Sequence, residues 1–255
     1  MITINTPEEI EILRESGRRL AGVLRRVAEA VRPGVTTGEL DALAEKLIRD
    51  GGDVPAFLQY KPIWGGRAYP ATLCASVNDE IVHGIPSPDR VLKEGDIVGL
   101  DLGLAHKGLI TDMAMTMPVG EVDDAARKLM NITQEALMVG IKTAKNGARV
   151  GDIGNAVSAF IKPYGYGVVE GLAGHGVGHH VHEDPEIPNY GQKGTGVELK
   201  SGMVVALEPM INEGSKQKYR DKDGFTYKTK DGKRSAHFEH TILITAGNAE
   251  ILTKE

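Results

Sequence analysis

Residues 99–116 read GLDLGLAHKGLITDMAMT. Two apolar, strand-like runs flank a short turn, so the stretch predicts an antiparallel hairpin. With His106-Lys107 as the loop, Ala105 faces Gly108, and counting outward Asp101 faces Asp112. Directly opposed residues hold their Cβ atoms roughly 5 Å apart. Two carboxylates that close on one dry sheet face repel each other. A cation between them would remove that cost; two separately solvated aspartates are the alternative.

Further strand-like runs cover 97–102, 109–115, 203–207 and 238–244. The helices are announced by caps. Thr6, Pro7 and Glu9 form a capping box with proline at N1, ahead of the stripe Ile10, Leu13, Leu20, Val23 and Val27. Pro33-Gly34 stops it. Thr36 and Glu39 cap a second helix carrying Leu40, Leu43, Leu47 and Ile48, ended by Gly51-Gly52. Residues 123–145 read as a long helix with Leu129, Ile132, Leu137 and Ile141. The next segment, NGARVGDIGNAVSAFI at 146–161, matches PGVTTGELDALAEKLI at 33–48, with Gly147 on Gly34, Gly151 on Gly38 and Ile161 on Ile48. This constant offset suggests two related halves rather than a short-period solenoid. Helix pairs followed by strands suggest an α+β design, with sheet on one side and helices on the other. Residues 213–235 read as a solvated β excursion. Residues 59–70 read as an irregular loop holding the single tryptophan, Trp64.

The 255 residues suffice for one large core or two intimately packed halves. The formal charge of −5 argues against a general affinity for nucleic acid or acidic membranes. One cysteine, Cys74, excludes an internal disulfide and a zinc site built from several thiolates. The N-terminus shows no secretory signal, and no apolar stretch is long enough to span a bilayer. A cytoplasmic protein is the expectation.

Residues 173–185, AGHGVGHHVHEDP, hold four of the eight histidines. Glu208 ends MVVALE, and Glu239 lies among apolar and β-branched residues in HFEHTILIT. Two such glutamates, the aspartate pair and one histidine make a coherent set of five ligands. Carboxylate and imidazole suit Mn, Fe, Co or Zn. Bridging carboxylates could hold two metals that share a water.

Five stretches, TLCASVNDEIVHGIP, GLDLG with TDMAMT, GHGVGHHVHEDP, MVVALEPM and SAHFEHTILIT, are together highly specific. Through them nearly the whole chain closely resembles the type I methionine aminopeptidases. The resemblance implies a pita-bread fold: two pseudo-symmetric halves with a central antiparallel curved sheet backed by helices. It implies a single catalytic domain over 1–255, with halves near 1–118 and 119–255. Asp101, Asp112, His175, Glu208 and Glu239 would be the metal ligands for two divalent ions of Co, Mn, Fe or Zn. Asp112 and Glu239 would touch both ions.

The implied reaction is removal of an N-terminal methionine from proteins and peptides, with a small second residue preferred, by attack of a metal-bridging water. Glu208 would carry the proton, and His182 and His83 would contact the reacting amide. The methionine slot would be walled by Tyr60, Tyr69, Cys74 and Phe225. Cys74 would be a wall and not a nucleophile. His179 and His180 are expected on the surface, and His240 on the face opposite Glu239. His237, on the same alternation as Glu239, would stand behind the ligands. Nascent proteins would be substrates, with transient ribosome contact, and the chain would be a monomer.

Three departures from the resemblance concern the slot. Phe225 stands where some bacterial members carry tryptophan, and Val181 where an aromatic is common. The spacing from Tyr60 to Tyr69 is also long, which puts Tyr60 in question. Trp64 could fold over the cleft or pack against helices. The enzyme alternative is a peptidase acting before proline; the non-enzyme alternative is a module that recognises nascent chains or partner proteins.

Overall fold

Helix α1 (Pro7–Glu29) starts where the sequence caps it. The Thr6 hydroxyl accepts from the Glu9 amide, and the Glu9 carboxylate accepts from the Thr6 amide. Thr36 and Glu39 repeat the box at α2 (Thr37–Asp50). The computed structural model describes residues 2–61 and 66–255; Trp64 lies outside the described residues. Helices α3 (Asp124–Thr143) and α4 (Val150–Ile161) form the second pair. Val150 lies at the same offset from Thr37 as the sequence match between the two segments.

Between the helix pairs run β1 (Val54–Pro55), β2 (Leu73–Val77), β3 (Glu80–Val82), β4 (Ile97–His106) and β5 (Leu109–Pro118). After α4 come β6 (Gly167–Val168), β7 (Ala173–Gly176), β8 (Glu183–Pro188), β9 (Val204–Leu207) and β10 (Met210–Asn212). Then follow β11 (Lys218–Arg220), β12 (Tyr227–Thr229), β13 (Ser235–His237), β14 (Glu239–Leu243) and β15 (Glu250–Ile251). The central sheet has the order β1-β4-β5-β14-β9-β7-β8, with β2 on β4 and β15 on β14. Its pairings are antiparallel. The 213–235 excursion holds the hairpin β11–β12, which joins β3 in a small separate sheet.

Strand alternation sorts β4 into two faces. Leu100, Leu102 and Leu104 pack with Leu20, Leu24, Leu47 and Ile48 of α1 and α2. Each fully buried leucine contributes roughly 1.5–3 kcal/mol. In the second half Leu129, Ile132, Ile153 and Val157 of α3 and α4 pack with Val205, Leu207 and Ile242. The opposite face of β4 is left to Asp101.

The hairpin register corrects one sequence expectation. His106 pairs with Leu109, so the loop is Lys107-Gly108. Both loop residues have positive φ, 49° and 85°, which suits a two-residue type I′ turn. Ala105 therefore faces Ile110, and Asp101 faces Ala114 while Asp112 faces Gly103. The slip is two positions, so both aspartates stay on one face, related diagonally instead of directly. His106 is not a loop residue: it is buried, with Nδ1 2.7 Å from Oδ1 of Asp53.

Candidate metal centre

Four strands of the central sheet and the end of a fifth bring the acids and one histidine together. Asp101 lies in β4, Asp112 in β5, His175 in β7 and Glu239 at the start of β14, while Glu208 follows β9 directly. His175 Nδ1 donates to the Gly176 carbonyl at 2.9 Å. That bond fixes Nδ1 as a donor, so in the neutral ring Nε2 is the ligand atom. Nε2 faces Glu208 Oε1 at 3.6 Å, Asp112 Oδ2 at 3.9 Å and Glu239 Oε1 at 4.0 Å. A ring nitrogen surrounded by three carboxylates is a place for positive charge, either a proton on Nε2 or a metal cation among them. Asp112, His175 and Glu239, all buried, each offer one ligand atom within 4.8 Å of the others.

The electrostatics agree. Burial pushes the Asp101 carboxyl up to about 6. Burial first, then Asp101 and Glu208, holds Asp112 well above the usual range. Burial first, then Asp112 and Glu208, does the same to Glu239. Asp101 Oδ1, Asp112 Oδ1 and Glu239 Oε1 have no hydrogen-bond partner among the described residues. Buried polar atoms are ordinarily paired. Three orphaned carboxylate oxygens beside an imidazole nitrogen therefore fit a divalent cation.

His237 joins this group more directly than its sequence position alone could tell. Its Nε2 lies 3.4 Å from Glu208 Oε2 and 3.9 Å from Glu239 Oε2. Its own backbone is held by Thr116. Asn189 Nδ2 donates to the Glu208 carbonyl at 2.9 Å. Nothing in the sequence marked Asn189.

His182 stacks edge-on to His175, with centroids 4.5 Å apart, and its Nδ1 is 2.8 Å from the Tyr60 hydroxyl. Burial first, then the charges of His175 and His83, pulls His182 down to about 2. His83 has φ of 61° and sits edge-on to Tyr227. Burial lowers its pKa to about 4. His179 is exposed beside Glu9, and His180 is exposed. His240 reaches Thr253 at 2.8 Å.

Beside the acids lies an apolar cluster of Phe57, Tyr69, Ala71, Cys74 and Val181, against which Tyr60, Ile85 and Phe225 pack. All four expected slot residues are here. Phe57, Ala71 and Ile85 were not legible, because they sit in loops with no period to expose them. Cys74 pairs with Asp101 in the β2–β4 ladder, and burial first, then Asp101, pushes its thiol well up. The long Tyr60–Tyr69 spacing is closed at its base. Gln59 N donates to Tyr69 O at 2.9 Å, and Tyr69 N to Tyr60 O at 2.8 Å. The extra residues thus leave Tyr60 beside His182.

Residues 11–246 match metallopeptidase family M24. The chain is 43% identical to methionine aminopeptidase 1 of Bacillus subtilis over 254 residues, covering 100% of both chains. The structure is similar to that of a methionine aminopeptidase from Thermotoga maritima, with TM-score 0.94, 45% identity and full coverage of both chains. A prolidase from Pyrococcus horikoshii is less similar, with TM-score 0.78 and 25% identity, covering 98% of this chain and 63% of that one.

Proposed function

From the premise that this chain belongs to metallopeptidase family M24, with the pita-bread fold and the full length of its methionine aminopeptidases, we infer that it is a metalloexopeptidase. It removes the N-terminal methionine from proteins and peptides. The observation that carries this reading is His175 Nε2 facing three carboxylates, three oxygens of the acid group being orphaned.

Asp101, Asp112, His175, Glu208 and Glu239 would hold two divalent cations. When bound, the cations supply a water of lowered pKa and an anchor for a free α-amine. The chain's own residues do the rest. Glu208, beside His237, takes a proton from the attacking water and passes one to the leaving amine. His182, neutral because burial holds its pKa low, receives the Tyr60 hydrogen bond at Nδ1 and keeps a donor at Nε2 for the developing oxyanion. His83, also neutral, binds the scissile amide. An internal peptide has no free α-amine, which restricts cleavage to the chain end.

The methionine side chain occupies the cluster around Cys74, between Tyr60, Tyr69 and Phe225. An apolar wall discriminates modestly, since one methylene is worth only ~1–3 kcal/mol. A small second residue is preferred. The two halves, 1–118 and 119–255, act as one catalytic domain. Nascent proteins expose the required terminus first, so a cytoplasmic monomer in transient contact with the ribosome is the setting we propose.

The test strips the protein of metal and reloads it separately with Mn, Fe, Co and Zn. Methionine release from Met-Ala peptides and little from N-acetylated Met-Ala is expected. Cleavage mainly before proline would move the chain toward the prolidases. No turnover by folded, metal-loaded protein would sink the enzyme reading in favour of a binding module.

A further inference from the structure

Strand β5 lies in the first half of the chain and β14 in the second, and they meet beside the acids. Their registered pairs are Glu239 with Ala114 and His240 with Met113. Extending that register sets Thr241 against Asp112 on one side and His237 against Thr116 on the other. At both positions a threonine hydroxyl stands where a peptide group would. Thr241 Oγ1 accepts from the Asp112 amide at 2.9 Å and donates to the Asp112 carbonyl at 2.7 Å. Thr116 Oγ1 accepts from the His237 amide at 2.9 Å and donates to the His237 carbonyl at 2.8 Å. All four residues are buried.

The reason is visible in the backbone accounting. Thr241's own amide donates to Thr253 Oγ1 at 3.1 Å, and its carbonyl accepts from Leu252 N at 2.9 Å. The C-terminal segment has therefore claimed the peptide group that Asp112 would otherwise pair with. A buried amide and carbonyl need partners, and the hydroxyl serves both. The bracketed pairs carry Glu239, and the residue at one bracket is Asp112. Each hydroxyl thus fixes the backbone at or two residues before an acid of the centre.

We propose that Thr116 and Thr241 are positioning residues that set the separation of Asp112 and Glu239, and through it the affinity of the centre for cations. This rests on the reading of those two acids as ligands. Valine matches threonine in shape but can neither donate nor accept, whereas serine keeps the hydroxyl.

The test titrates Mn²⁺ calorimetrically into the metal-free wild type, Thr241→Val, Thr241→Ser, Thr116→Val and Thr116→Ser. Amide hydrogen exchange is followed in the same metal-free proteins. Losing a partner that orients a ligand typically costs 10–100-fold in metal affinity. The valine variants should weaken Mn²⁺ binding by about that factor, and the serine variants by less than about threefold. The Asp112 amide should exchange faster in Thr241→Val, and the His237 amide in Thr116→Val. Should Thr241→Val fail to fold, Thr116→Val carries the test from the other end of the seam. Wild type that takes up no Mn²⁺ overturns the ligand reading. Wild type that binds, with valine variants binding as tightly, overturns the seam proposal alone.

Discussion

The Tyr60 hydroxyl lies 2.8 Å from Nδ1 of His182, and the two residues come from loops 122 positions apart. Burial and the Asp112 charge push the phenol pKa up, so Tyr60 keeps its proton and can donate it. With Tyr60 as the donor, that hydrogen bond selects the His182 tautomer that carries its proton on Nε2. Tyr60→Phe keeps the slot wall and loses this selection. One neutral hydrogen bond is worth about 1 kcal/mol, or roughly fivefold in rate. We expect kcat to fall by about that factor with KM for a Met-Ala peptide little changed. A rise in KM alone would mean that Tyr60 only packs against methionine.

Above about pH 6.5 the metal-free protein should lose stability as pH rises, while between about 4 and 6.5 its raised acids and its buried histidines pull in opposite directions. Asp112 and Glu239 have folded pKa values well above their unfolded ~4. The folded state therefore binds more protons, and stability falls as pH rises, by about 1.4 kcal/mol per pH unit for each group still titrating. On the acid side His83 and His240, held at about 4, and His182, at about 2, resist protonation that the unfolded chain accepts below about 6.5. Their contribution is lost as pH falls. Thermal melts of the metal-free protein from pH 5 to 8 check this. A melting temperature that climbs steadily to pH 8 would contradict the protonated acids. Saturation with Mn²⁺ should raise the alkaline limb most, because ligands bind deprotonated.

The four histidines of 175–182 show how far sequence could go. Composition marked the tract, but the separation of His175 from His179 and His180 came through the resemblance. In the fold, β7 carries His175 under the acids, while the other two lie exposed beyond its end. The caps of α1 and α2 and the faces of β4 and β5 were legible, because local hydrogen bonds and side-chain alternation are written in neighbouring residues. The hairpin stagger was not, because a slip of two preserves the alternation. The approach of His237, the burial of His106 against Asp53, and the threonine bridges were also hidden, since each depends on strands distant in sequence. His175→Ala should therefore abolish turnover and weaken metal uptake by 10-fold or more, while His179→Ala should leave kcat/KM within about twofold. A large loss in His179→Ala, with metal uptake intact, would place the exposed tract in the reaction.

Gly84 follows His83 and lies flat against β2. Its carbonyl accepts from Ala75 N at 2.9 Å, and its amide donates to Ser76 Oγ at 3.1 Å. A Cβ here would stand 2.5 Å from the Ala75 carbonyl oxygen and 2.9 Å from Ser76 Cα. Both are backbone atoms of a paired strand, so the loop must move instead of β2. The left-handed backbone of His83 leaves it little room to compensate. Gly84→Ala should lower stability by roughly 1–3 kcal/mol through overpacking. A shift of about 1 Å in a substrate-positioning group can cost ~10²-fold, so kcat/KM should fall by about that factor. Mn²⁺ affinity should stay within about threefold, because β4, β5, β7 and β14 are untouched. Unchanged turnover in folded Gly84→Ala would remove His83 from the substrate contact. Loss of Mn²⁺ binding would show instead that the loop supports the acids themselves.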